Sequence, residues 1–255
     1  MEEYKSLTAD EIFFIFKEEH RLCSPLDPEA DPTFDLQPTS TIEEWRDSMD
    51  LLPTHPLAKA LNSTLTLEVP LESWKAVLEP PDQRTVYDVC NFISQFARIE
   101  IVQPVKLLGQ TCISAALFRS LHKNLQKRGI DTAGLRPSSD LEPFLRNHFG
   151  EFVGYINTAY AGVIPSIHKK RTVLNTVCWL ATLFSVSAFL AALVWDFSSV
   201  IVMISVLTTI SLWFLNNRLF KRKAGMIGVP GVVTFRDLIN RIVAIKFAAD
   251  IDSKN

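Results

Sequence analysis

Two charge-free apolar runs, standing almost back to back, constrain this chain more than any other feature. Val173–Val194 spans 22 residues and Phe197–Leu215 spans 19, with only Trp195 and Asp196 between them. A helix of about 20 apolar residues crosses the hydrocarbon core of a bilayer, whereas an uncharged run of roughly 14 or fewer suits a buried helix of a water-soluble domain. The pair is therefore expected to form a transmembrane helical hairpin. A re-entrant hairpin that dips into one leaflet is the alternative. The link is too short to carry the chain back across a bilayer, so the two helices must run antiparallel.

Basic residues orient the hairpin. Lys169, Lys170 and Arg171 precede it, and Arg218, Lys221, Arg222 and Lys223 follow it, while the connecting loop holds no Lys or Arg. Positive charge stays on the cytoplasmic side, so both termini are expected there, in a multi-pass integral membrane protein with two spans and the lipid bilayer as its first partner. Ala181 with Ser185, Ala188 with Ala192, and Ser205 with Thr209 are each spaced by four. Small residues on one helix face let membrane helices approach closely. No Lys, Arg, Asp, Glu or His lies within either run. Ion and proton pathways need such groups at membrane depth, so a self-contained channel or transporter is not expected.

Charge divides the chain. Residues 1–165 carry 15 basic and 24 acidic side chains, a net of −9, and residues 166–255 carry 11 and 4, a net of +7. The acidity is concentrated in residues 1–82, with 6 basic and 18 acidic groups. Such a region repels phosphate backbones, which argues against nucleic acid, and attracts a protein partner with a basic surface. The N-terminus lacks the long apolar stretch of a signal peptide, so a cytosolic location is expected for the acidic part. Cys23, Cys90, Cys112 and Cys178 show no CxxC spacing and imply no disulfide framework; Cys90 and Cys112 read as small core hydrophobes.

The expected fold is mostly α. Residues 1–165 form a cytosolic helical domain, 166–223 the hairpin with its basic flanks, and 224–255 a Gly/Pro linker and C-terminal amphipathic helix. Thr8 with Glu11 and Thr41 with Glu44 are capping boxes, and Thr85 with Asp88 opens another helix over Val86–Ala97. The first box starts a helix over Ala9–Leu22, followed by a loop, Ser24–Ser40, prone to disorder. A short helix is expected near Leu57–Ala60. Thr64–Val69 (TLTLEV) alternates at period two and predicts a strand, paired with Ile99–Val102 in one small two-stranded element. The longest helix of the soluble part is expected over Cys112–Arg128, closed by Gly129. Ser138 or Ser139 should cap a helix running from Leu141 toward Ala159, with a break at Gly150. Thr234 should cap Phe235–Ala249, whose Phe235, Leu238, Ile239, Ile242, Val243 and Ile245 share one arc. That arc must be buried on the membrane surface or on the helical domain. The second is favoured, because intramolecular docking has a high effective concentration.

Chemistry is thinly marked. His148 with Glu151, and His20 with Cys23, have metal-ligand spacing but no second pair beside them, so solvated or capping roles are expected and no metal. Lys106, Gly109 and Thr111 precede the helix expected from Cys112, where exposed amides attract anions, yet the Gly-rich phosphate loop is absent. A plain helix start is the reading there, and turn plus cap for Arg136–Asp140. No cofactor motif appears and no catalytic residue is marked. The expected function is a membrane-anchored binding, regulatory or scaffold module. The alternative is a membrane-bound enzyme acting on a lipid or apolar metabolite, for which Asp88, Cys112, His122 and His148 are the titratable residues to inspect.

Overall fold

The computed structural model describes residues 3–107, 109–170, 187, 211 and 226–247. The chain forms two compact units: Met1–His168 together with Val229–Asn255, and Lys169–Gly228. No helix among the described residues is long and apolar enough to cross a membrane, and the expected spans at 173–194 and 197–215 lie outside the described residues, Ser187 and Ser211 apart.

The described chain is mostly helical, with small two-stranded sheets. In order come β1 (Tyr4–Ser6), α1 (Ala9–Cys23), α2 (Ile42–Met49), α3 (Thr54–Leu65), α4 (Leu71–Leu78), α5 (Val86–Ser94), β2 (Arg98–Glu100), β3 (Val105–Leu107), β4 (Gln110–Cys112), α6 (Ile113–Lys127) and α7 (Leu141–Tyr160). β5 (His168–Lys170), β6 (Met226–Gly228) and α8 (Phe235–Ile242) complete the series. β1 pairs with β2, β3 with β4, and β5 with β6.

Local chemistry starts four of these helices in the same way. Thr8, Thr41, Thr85 and Thr234 each accept the amide three residues on, and Glu11, Glu44, Asp88 and Asp237 reach back to the threonine amide. Each box satisfies two amides that a helix start otherwise leaves unpaired.

Helices α1 to α5 close over one apolar cluster. Ile12, Ile15 and Phe16 of α1 meet Ile42 and Trp45 of α2, Leu57 and Leu61 of α3, Trp74 and Leu78 of α4, and Val86, Val89 and Ile93 of α5. Phe16 stacks on Trp45 with ring centroids 4.9 Å apart. The fully buried Trp74 donates its indole N–H to the Asn62 side chain at 3.0 Å, so its polar atom is satisfied where water is absent.

The second packing layer combines α6, α7 and α8. Leu117, Leu121 and Leu125 of α6, Leu141, Leu145, Phe152 and Ile156 of α7, and Phe235, Leu238, Ile239 and Ile242 of α8 are all buried. The Phe235 ring meets Phe144 and Phe152 edge-on, at 5.2 and 5.9 Å. Backbone bonds fix the returning segment: Leu141 donates to Val233 (2.8 Å), Phe235 to Ser139 (3.2 Å) and Arg236 to Pro137 (2.7 Å). The Arg241 guanidinium donates to the Val163 carbonyl at 2.6 Å. The apolar arc of the C-terminal helix thus lies against the helical unit.

Several sequence expectations need correction. TLTLEV is no strand: Thr64 and Leu65 end α3, and Thr66 adopts the left-handed conformation at φ 56°. Its alternation still sends Leu65, Leu67 and Val69 inward, but Asn62 supplies the pairing, accepting from the Leu67 amide and donating to the Val69 carbonyl. The expected partner of that strand is β2, which pairs with β1 instead, Lys5 opposite Ile99. The first turn of α7 follows Asp140, while the Ser139 hydroxyl accepts from the Arg136 amide one turn earlier. The break in α7 comes at His148 (φ −134°, ψ 34°), two residues before Gly150. Past Ile242 the C-terminal helix widens into a π turn, Val243–Phe247. A wider turn advances fewer degrees per residue, so Ile245 rotates out of the arc and is exposed.

Candidate functional site

The four titratable residues marked for inspection are spread over α5, α6 and α7 and share no cavity. Asp88 is the acid of the α5 capping box, accepting the Thr85 amide at 2.9 Å. Cys112 ends β4 and stands at the N-cap position of α6 with no side-chain hydrogen bond to that turn. The His122 ring faces Thr132 with both nitrogens. A carbonyl only accepts, so Nε2–H donates to the Thr132 carbonyl (2.9 Å) and Nδ1 accepts from the Thr132 hydroxyl (3.2 Å). This pins the turn that follows Gly129, whose φ of +80° closes α6. His148 sits at the kink of α7, its ring 5.1 Å from that of Phe144. The four residues line none of the three cavities described below.

Among the described residues no group of three or more His, Cys, Asp or Glu side chains is placed to hold a metal ion. His20 is buried beside Phe34, and burial holds its pKa below the usual imidazole value despite the nearby Asp31. Burial, with Glu19 adding a smaller like-charge effect, pushes the Cys23 thiol up to about 12. Cys90, in the core, is likewise pushed up to about 12. Thiols held neutral in this way are poor nucleophiles and poor metal ligands. Lys106 and Thr111 stand opposite one another in the β3–β4 hairpin, turned by Gly109 at φ +82°.

Three cavities among the described residues bear on function. The first, of ≈ 100 Å³, lies among α1, α2 and α3, with Phe16, Trp45, Leu57 and Leu61 in its apolar wall and Glu19 as its carboxylate. Burial raises the Glu19 pKa. The second, of ≈ 250 Å³, is a polar cleft lined by Glu3, Glu100, Gln103, Arg119, Ser120 and Lys123. Its acids are engaged: Gln103 donates to Glu3 at 2.9 Å, and Lys123 approaches Glu100 at 3.7 Å. Behind it Asn124 bridges Glu100 and the Tyr155 hydroxyl, and Arg128 lies 5.8 Å from the centre of the Tyr155 ring. The third cavity, of ≈ 400 Å³, opens between α6 and α8 and has Arg119 and Arg236 in its wall. None of these sites was visible as a motif, because each draws its lining from more than one element.

An exposed acidic patch is the other distinctive surface. Glu29, Asp27 and Asp50 are all exposed, and the proximity of Asp50 and then Asp27 raises the Glu29 carboxyl above the ordinary value. Asp31, Asp35, Glu43 and Asp47 are exposed in the same stretch of chain.

Compared with known protein families, curated proteins and solved structures, the chain shows no match.

Proposed function

We propose that the protein is a non-enzymatic, membrane-anchored binding module, held by a two-helix hairpin and presenting its acidic helical unit to a cytosolic partner with a basic surface. The observation that carries the reading is the crowding of Glu29, Asp50 and Asp27, which concentrates negative charge on one exposed patch. Opposite potentials steer association, and relief of like-charge crowding by a cationic partner favours the complex. The alternative of an enzyme built on Asp88, Cys112, His122 and His148 would require two of them in one pocket, and none of the four lines the cavities described above.

Hydropathy supports membrane attachment, and connectivity agrees with the two-span topology. Residues 171–225 begin and end at the paired strands β5 and β6, so both ends of that segment emerge side by side. A segment tethered in this way crosses a bilayer an even number of times, which suits two spans with basic flanks on the cytoplasmic face.

Crosslinking pull-down of the full chain in detergent tests the partner. Captured protein should fall when Asp27, Glu29 and Asp50 are replaced together by Asn, Gln and Asn, and should fall again at high salt. Equal capture by this variant overturns the patch as the docking surface. Thiol labelling in intact cells tests the topology. A cysteine at Ser198 should react from outside, and cysteines at Glu29 and Ser253 should not. Labelling at Glu29 overturns the orientation.

A further inference from the structure

We propose that the cavity between α6 and α8 binds a phosphate ester with an apolar body, its oxyanion held between Arg119 and Arg236. The cavity measures ≈ 400 Å³, within the range of small-molecule sites. α6 contributes Ser114, Ala115, Phe118 and Arg119 to its wall, and α8 contributes Arg236, Ile239 and Asn240. Pro137 completes the lining, which holds no carboxylate among the described residues. Two guanidinium groups in a chain whose first 165 residues are net acidic make a local excess of positive charge. Neither guanidinium makes an ion pair among the described residues. Asp237, the nearest acid to Arg236 in sequence, accepts from Val233, Thr234 and the Thr234 hydroxyl. In the second cavity, which Arg119 also borders, Glu3 and Glu100 already have partners.

The head group follows from the donors. Two arginines on separate helices supply two positive charges and several N–H groups in planar forks, which suits a dianionic phosphate monoester better than a carboxylate. Ser114 and Ala115 belong to the first turn of α6, and no side chain caps that turn. Its amides and the positive end of the helix dipole therefore add to the same attraction. Asn240 and the Ser114 hydroxyl provide neutral donors. The apolar body follows from the floor: Phe118 is half-buried, Ile239 is 3% exposed, and Ala115 and Pro137 flank them. The wall is fixed in place, because the Arg236 amide donates to Pro137 and Ile239 is packed in the core.

The assignment stands apart from the acidic patch and from the membrane hairpin, and a soluble probe tests it. Calorimetric titration of the full chain, in a neutral detergent, should detect 1-naphthyl phosphate. Inorganic phosphate should bind more weakly, because it leaves the apolar floor empty. Arg119→Gln and Arg236→Gln should each weaken the ester about tenfold or more, the scale of a charge-assisted hydrogen bond, and the pair together should abolish detectable binding. Both arginines are exposed, so melting temperatures should not move, and this separates lost binding from lost folding. Absence of ester binding, equal affinity for inorganic phosphate, or unchanged binding by the double variant each overturns the proposal. Repeating the titration in phosphatidylcholine nanodiscs with and without phosphatidic acid identifies the source of the ester. Competition by phosphatidic acid assigns the site to a lipid head group, and undiminished binding assigns it to a soluble phosphate ester.

Discussion

Helices α1 to α5 and the group α6, α7 and α8 solve the same problem with partners from different distances along the chain. The first cluster draws its residues from 7–97, with Ala161 the one distant addition. The second is open until Val229–Ile242 returns and Phe235 fills the space beside Phe144 and Phe152. A contiguous cluster forms through short loop closures, whereas the second must close a loop that includes all of Lys169–Gly228. The two regions should therefore differ in how they fail. The first depends on its own side chains, and the second on a segment that can leave.

The strongest way to break this comparison is to expel α8. Ile239→Glu with Ile242→Glu places two carboxylates where the native side chains are 3% and 1% exposed, at an expected cost above about 5 kcal/mol. Hydrogen exchange should then quicken in α6 and α7, and proteolysis should cut within residues 229–247, while α1 to α5 stay protected. Uniform loss of protection would make the two regions one cooperative unit.

A matched pair of truncations sharpens the same contrast. Phe235→Ala and Trp74→Ala remove fully buried aromatic rings from the second and first regions respectively, and each should cost about 3–5 kcal/mol. Exchange should rise mainly in α6 and α7 for the first variant, and mainly in α1 to α5 for the second. Asn157 joins the regions, its buried amide donating to the Ile15 carbonyl of α1 at 2.8 Å. Asn157→Ala should cost about 0.5–1.5 kcal/mol in denaturant unfolding, the net worth of one hydrogen bond, because the Ile15 carbonyl keeps its partner within α1. If it cost nothing, the joint would lie elsewhere, at Arg21 on Ile164 and Pro165 or at Arg128 on Thr64.

The smallest expected effect concerns the cavity of the first region. Burial raises the folded-state pKa of Glu19 above 4.5, so the ionised form is penalised only in the folded protein. The folded state then holds its proton to higher pH than the unfolded chain, and stability falls as pH rises through that window. Glu19→Gln should raise the melting temperature slightly at neutral pH and leave it unchanged below 4.5. An equal rise at both pH values would show that charge is not the cause.

What the sequence disclosed was local. Thr8 with Glu11 and Thr41 with Glu44 were legible as capping boxes, Thr85 with Asp88 as a helix start and Thr234 as a cap, and in the structure all four are capping boxes. The arc from Phe235 to Ile242 was legible because helical period concentrates apolar residues on one face. Failures came where a specific side-chain contact, near or distant in the chain, overrode the local pattern. TLTLEV has the period of a strand, but Asn62 holds its second half as an extended strap along α3. The kink of α7 at His148 lies where its ring packs against Phe144, while Gly150 remains helical. The pairing of Arg119 with Arg236 in one cavity depends on which face of α6 receives α8, and no spacing along the chain encodes that.

The discontinuous first unit has a consequence for biosynthesis. A ribosome releases α1 to α7 first, then Lys169–Gly228, and only afterwards the residues of α8. Until the last of these emerge, Phe144 and Phe152 lack the ring that covers them, and the nascent unit carries an open apolar face. The interruption is therefore complete before the unit it interrupts can seal. Any factor that shields nascent chains would act in that interval, and arrival of Phe235 would end the need for it.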